Sequence, residues 1–173
     1  MAFPQKSPFK ISTSETILAY TAGLIDGEGY IGVDRNAARR EHSIRQNDFY
    51  RLNVAVTVTD KSMIDFLMAN FGGNSRQRKR HTCNKKLVYE WHLYGGNAVL
   101  FLQAIKPYMV AKADQADLAE KFRSSFSGGI YCKSGTPEAV VRFRHECYEK
   151  FKEIHGRHSA KPTTPIALRL LSA

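Results

Sequence analysis

The sequence predicts an α+β fold: an antiparallel sheet with helices covering one face and the other face open. Three observations predict it. The chain runs helix, two strands, helix, two strands, then helices, an order that layers helices on a sheet made of hairpins. Residues 49–59 alternate, with Leu52, Val54, Val56 and Val58 on one side and Arg51, Asn53, Ala55, Thr57 and Thr59 on the other, the pattern of a sheet with one buried and one wet face. Ala19, Gly23 and Gly27 stand one helical turn apart in the first helix, a row of small residues on one helix face that lets a second helix approach backbone to backbone.

Residues 1–12 read as an arm, with Pro4, Pro8 and two lysines and little periodicity. Ser12 and Glu15 have capping-box spacing, so the first helix is expected over residues 13–26. Residues 30–39 read as a strand, followed by a polar loop and the alternating strand 49–59. Asp60 stands where an N-cap is needed for a helix over 61–71, whose Ile64, Leu67, Met68 and Phe71 recur at helical spacing. Gly72 and Gly73 end it. A second hairpin follows: an outgoing strand over 74–81, a turn over 83–86 and a return over 87–93. Arg76, Arg78 and Arg80 share a face of the outgoing strand. In the return, Leu87, Tyr89, Trp91 and Leu93 are expected inward, and Val88, Glu90 and His92 outward. Helices are then expected over 98–106, ended by Pro107, and over 112–126. A Gly/Ser loop separates them from a last helix over 137–155, with Pro137 at its first position and Val140, Phe143, Cys147, Phe151 and Ile154 as its stripe. Residues 156–173 read as a tail.

Size and charge bound the function. One domain is expected over residues 13–155 of the 173. The formal net charge is +10, from 26 Lys+Arg against 16 Asp+Glu, which points to a polyanionic partner, nucleic acid before a membrane surface. Solubility alone is the plainer reading of the charge. The open sheet face would carry Arg51, Asn53, Thr57, Thr59, Arg76, Arg78 and Arg80, with Arg35 on the neighbouring strand. Arg, Asn and Thr suit phosphates and base edges. The same arginine row also suits a solvated edge that guards against aggregation. Cys83, Cys132 and Cys147 show no CxxC spacing and read as reduced thiols. No apolar run approaches the ~18 residues of a membrane helix, and the reduced thiols suit an intracellular protein.

One stretch is far more specific. Ala22-Gly23-Leu24-Ile25-Asp26-Gly27-Glu28-Gly29 closely resembles the signature of the LAGLIDADG homing endonucleases, with Thr21 in place of the usual leading Leu. Pro107-Tyr108-Met109-Val110-Ala111-Lys112-Ala113-Asp114-Gln115-Ala116 resembles that family's Pro-Tyr-Leu-x-x-Lys-x-x-Gln-Ala segment, and Phe71-Gly72-Gly73 falls at the expected helix end. The likeness covers about residues 14–126. It implies the αββαββα fold of that family, with a saddle-shaped sheet for DNA. It implies Glu28 as the ligand of Mg²⁺ or another divalent metal, helped by the Gly27 carbonyl, with Asp26 structural. It places Lys112 near the scissile phosphate. Asp60 falls where relatives order active-site solvent, yet it serves equally as an N-cap. Ile64 is apolar where some relatives carry a basic residue.

The chain holds one copy of the motif, and one-copy relatives are homodimers. Ala19, Gly23 and Gly27 then become the dimer interface. The implied activity is double-strand cleavage of a long near-palindromic DNA site across the minor groove, in the service of intron mobility. An RNA maturase that binds intron RNA, or a DNA-binding regulator without cleavage, is the alternative on the same fold.

Overall fold

The computed structural model describes residues 5–36, 48–79, 87–126 and 136–159. In chain order the elements are β1 (Gln5–Ser7), α1 (Glu15–Glu28), β2 (Gly29–Asn36), β3 (Phe49–Val58), α2 (Lys61–Phe71), β4 (Gly73–Lys79), β5 (Leu87–Tyr94), α3 (Gly95–Ile105), a 3₁₀ turn (Lys106–Tyr108), α4 (Ala113–Ser124) and α5 (Glu138–Ser159). The strands form one antiparallel sheet in the order β1-β4-β5-β3-β2. The α+β fold expected from the sequence is the one observed.

The core lies between the sheet and the helices. Leu52, Val54, Val56 and Val58 of β3 join Trp91 and Leu93 of β5 and Ile31 and Val33 of β2. Ile64, Leu67 and Phe71 of α2, Ala98, Phe101, Leu102 and Ile105 of α3, Ala116, Ala119 and Phe122 of α4, and Cys147 and Phe151 of α5 close over them. Trp91, Phe71 and Phe101 meet edge to face, with centroids 5.0 Å and 5.3 Å apart, a geometry aromatic quadrupoles favour. Burial of the Cys147 thiol pushes its pKa up.

Several local expectations are corrected. The first helix starts after Ser14 rather than Ser12, and neither serine forms the expected capping box: the Ser14 side chain makes no cap hydrogen bond, and Ser12 Oγ accepts from the Ser14 amide at 3.3 Å. The helix continues through Glu28, so Glu28 joins Asp26 in its last turn rather than lying beyond it. The arm contains a strand: β1 pairs with β4, matching Gln5 with Ser75 and Ser7 with Gly73. Lys112 is the N-cap of α4, not its first residue. Residue Phe143 of α5 is 37% exposed, and Val141 and Tyr148 pack against the core beside Cys147 and Phe151. The last helix also runs to Ser159, four residues into the expected tail. The rest of that tail, the turn over 83–86 and Arg80 lie outside the described residues.

The join between α2 and β4 is tight. Gly72 has φ +68°, where an L side chain is strained, and a Cβ there would stand 1.9 Å from the Pro8 carbonyl oxygen. Lys10 N–H donates to the Phe71 carbonyl at 3.2 Å and Trp91 Nε1–H to the Gly72 carbonyl at 2.6 Å. The arm is thus threaded over the glycine that ends α2.

Candidate active site and nucleic-acid interface

The tip of α1 is built by its neighbours. Asp26, in the last turn, accepts hydrogen bonds from three successive backbone amides: Val110 at 2.7 Å, Ala111 at 3.2 Å and Lys112 at 3.0 Å. One carboxylate therefore satisfies the amides that lead into α4, up to its N-cap Lys112, and ties that turn to α1. Lys112 completes the tie from the other side. Its ammonium donates to the Ile25 carbonyl at 2.8 Å and to the Gly29 carbonyl at 2.6 Å. The Ile25 carbonyl also accepts the Gly29 amide, and carbonyls at a helix C-terminus carry partial negative charge, so a cation fits there. Burial lowers the Lys112 pKa, and the charges of Asp26 and Glu28 oppose that shift.

Glu28 is left outward. It is the last residue of α1, it is exposed, and it forms no hydrogen bond or ion pair among the described residues. Two acids two residues apart thus have different work: Asp26 is consumed in joining helices, and Glu28 is available. Among the described residues no group of three or more His, Cys, Asp or Glu side chains is placed to hold a metal ion. The donor set at the tip is one carboxylate beside helix-end carbonyls, an all-oxygen set that fits a hard divalent cation and leaves room for ligands from elsewhere.

The small-residue row is open. Ala19, Gly23 and Gly27 are exposed, and a Cβ on either glycine would touch nothing within 4 Å. Beside it, Tyr20 is 52% exposed and packs edge to face on Phe66. Thr16, Ile17, Tyr20, Ser62, Met63 and Phe66 line a shallow, mainly apolar groove of about 360 Å³ between α1 and α2.

Asp60 is the N-cap of α2: its Oδ1 accepts from the Ser62 amide at 2.8 Å. That hydrogen bond holds its pKa below the usual aspartate value. Ile64 is 1% exposed in the core beneath α2.

On the sheet, the residues expected to be wet form two groups. Thr57 and Thr59 are exposed, Thr57 within β3 and Thr59 just past its end. Asn53 and Ala55 are buried, at 8% and 7%, and so are Val88, Glu90 and His92 of β5. The open face is not bare because long side chains lie over it. Arg76 and Arg78 both donate Nε–H to Glu90, one to each carboxylate oxygen. His92 Nε2 lies 3.5 Å from Glu90, and its Nδ1 lies 3.2 Å from Asn53 Oδ1. Asn53 donates to Asp34 at 3.5 Å, Asp34 lies 3.6 Å from Arg51, and Arg51 sits over the Tyr94 ring at 3.9 Å. Burial alone would raise the Glu90 pKa, but its two arginine partners outweigh that and hold it below the usual glutamate value. Burial lowers that of His92, against the pull of Glu90.

Arg35 is not part of this face. Strand alternation places it with Ile31 and Val33 on the helix side, opposite Tyr50, where its Nε–H donates to Asp48 at 2.6 Å. Asp34 and Tyr94 are members of the network that sequence reading passes over, and Glu90 and His92, which it reads as outward, are given no part in the site. The signal available was the hairpin itself, since the register that pairs β4 with β5 sets Arg76 opposite Glu90.

The structure thus sets a five-stranded antiparallel sheet against helices, with an exposed acid at the end of the first helix and arginines on the outer sheet face. No protein-family model and no curated protein matches the chain. Solved structures do. The homing endonuclease I-CvuI, complexed with the I-CreI target in 2 mM Mg with the DNA not cleaved, is 17% identical, covers 87% of this chain and 87% of its own, and has a TM-score of 0.63. The LAGLIDADG homing endonuclease I-SmaMI, bound to cleaved DNA, is 15% identical over 90% of this chain and 52% of its own, with a TM-score of 0.57. The homing endonuclease I-TnaI is 14% identical over 81% of this chain and 96% of its own, with a TM-score of 0.55. At these identities the likeness is one of fold, and the fold is that of LAGLIDADG homing endonucleases.

Proposed function

We propose that the chain is a site-specific double-strand DNA endonuclease that uses a divalent metal and works as a homodimer. The observation that carries this is the free Glu28 carboxylate at the tip of α1, held in place by the Asp26 and Lys112 ties and adjoining an open face of small residues. Glu28 and the Gly27 carbonyl would hold Mg²⁺ or a similar ion, which supplies Lewis-acid stabilisation and an activated water for phosphodiester hydrolysis. Lys112 fixes the α1–β2 junction and keeps a cation close to the carboxylates, where it favours an approaching phosphate.

One chain provides half of this. Ala19, Gly23 and Gly27, with Tyr20 and Phe66 alongside, are the surface through which a second copy joins, and two-fold symmetry then offers one Glu28 to each DNA strand. The target is a near-palindromic site cut across the minor groove, with Arg51, Thr57, Thr59, Arg76 and Arg78 on the DNA side and Asn53 holding their support. Arg80, outside the described residues, continues the i, i+2 spacing of Arg76 and Arg78 in sequence. Residues 13–155 make up the endonuclease domain, with α5 completing it through Ser159.

The experiment is selection from a library of duplex DNA sites with Mg²⁺ present. The wild type is expected to yield a cut site. Glu28→Gln is expected to bind that site with unchanged affinity and to reduce cleavage at least about a thousandfold, of the order of losing a term worth about 4 kcal/mol in the transition state. Cleavage that survives in Glu28→Gln sinks the assignment. Absence of any cut duplex, with intron RNA bound instead, moves the function to splicing.

A further inference from the structure

The arm widens the sheet by one strand beyond β4, and the middle residue of that strand is a lysine. Residues directly opposite each other on paired strands share a face. Lys6 stands opposite Asn74, Asn74 opposite His92, His92 opposite Ala55 and Ala55 opposite Tyr30. This row crosses all five strands on the outer face. It crosses them at the end nearest Glu28, since Tyr30 follows that residue by two. Gln5 and Ser7 fall on the helix side and are half-buried, whereas Lys6 is exposed. Its ammonium has no hydrogen-bond or ion-pair partner among the described residues. Arg76 and Arg78 differ, because both are tied to Glu90.

The backbone that carries Lys6 is held on three sides. β1 is paired with β4, Phe9 packs against the core, and Lys10 N–H donates to the Phe71 carbonyl. The Pro8 carbonyl fills the space that a side chain on Gly72 would take. A cation on a fixed strand loses less freedom on binding than one on a loose tail. Its place across the sheet sets what it meets. From β2 to β1 there are four strand spacings, about 19 Å at about 4.8 Å each. The major groove is about 12 Å wide. A sheet seated on one groove therefore carries its outermost strand past the groove wall, which is made of phosphates. A lysine on an edge strand also guards that edge against pairing with other chains, a role that leaves DNA binding untouched.

We propose that the arm is a clasp for the DNA backbone: β1 holds Lys6 over a phosphate across the groove from Tyr30, near the cut rather than at the outer end of the half-site. This rests on the DNA-cleaving function proposed above and adds a contact that the two hairpins do not supply.

The test titrates the selected duplex and a duplex of unrelated sequence with wild type, Lys6→Ala, Lys6→Arg and Lys10→Ala, between about 50 and 200 mM salt. Each neutralised phosphate contributes about 0.9 to the slope of log affinity against log salt, and a homodimer holds two copies of Lys6. Lys6→Ala is therefore expected to lower the slope by about 1.8 on both duplexes. The wild-type advantage then shrinks about twelvefold over that salt range, with base preferences unchanged. Lys6→Arg should keep the slope. Lys10→Ala removes an equal charge from the arm beside the end of α2 and should also keep it. Neutral methylphosphonates placed singly in the selected duplex should weaken wild type at one position near the cut in each half-site, and Lys6→Ala should be indifferent to that position. A Lys6→Ala protein with the slope and methylphosphonate profile of wild type overturns the proposal, leaves Lys6 as an edge guard and leaves the nuclease reading intact. Equal slope losses in Lys6→Ala and Lys10→Ala overturn it as well, because they report general charge and not a contact. A wild type that binds no duplex DNA overturns both readings. Should Lys6→Ala not fold, Lys6→Gln, which keeps the length of the side chain without its charge, decides by the same slopes.

Discussion

Asp26, Glu28 and Asp60 show how side chains of one chemical kind separate into different roles, and Lys112 shows how a cation is tied beside them. Asp26 meets three amides, and Glu28 meets none. Lys112 spends its ammonium on two carbonyls at the end of α1, so its closeness to Glu28 follows from a structural tie. Asp60, which stood in sequence both as an active-site candidate and as a cap, is observed capping α2. Serine caps a helix about as well as aspartate, so Asp60→Ser is expected to keep both cleavage and the neutral-pH melting temperature. The pH dependence separates the two residues. The Asp60 pKa is depressed in the fold, so its charge stabilises the protein fully above the ordinary aspartate pKa of about 3.9 and ceases to do so as pH falls through the depressed value. Wild type should therefore lose stability on acidification that Asp60→Ser does not lose. Thermal melts between neutral and acid pH measure this, and a loss of cleavage in Asp60→Ser at neutral pH would return Asp60 to the active site.

At the scale of elements, the two hairpins and the helix order are legible in sequence because apolar alternation and glycine stops each leave a local pattern. Glu28 and the small-residue row are legible because the motif is short and contiguous. Three features are not. β1 is three residues between prolines and is defined by its partner β4, not by its own pattern. The outer face is buried at Asn53, Glu90 and His92 because arginines and Tyr94 from neighbouring strands lie across them, which alternation within one strand cannot reveal. Arg35 reads as part of a basic face until pairing with β3 fixes its side. The arm over α2 gives the prediction at this scale. Gly72→Ala combines a strained φ with a clash against the Pro8 carbonyl, and is expected to cost on the order of 2–3 kcal/mol. Urea denaturation measures it. A change within 0.5 kcal/mol of zero, about the range of neutral surface substitutions, would show that β1 does not hold that position in solution.

For the whole molecule, the +10 charge, the arginines of the outer face and the open small-residue row suit the two partners proposed for it, DNA and a second copy. No helix among the described residues is long and apolar enough to cross a membrane. The proposed dimer would join the two requirements, since the same α1 helix ends in Glu28 and carries Ala19, Gly23 and Gly27 on its exposed side. On the proposed function, an interface of that kind would bring two acids together and make cutting both strands a property of the pair.

Mixing wild-type and Glu28→Gln chains before adding the selected duplex measures this most directly. With equal amounts freely exchanged, only pairs with two intact carboxylates cut both strands, so double-strand cleavage should fall to about one quarter of the wild-type rate while singly nicked DNA accumulates. A fall to about one half, with no nicked product, would mean that each chain cuts both strands alone and would contradict the account.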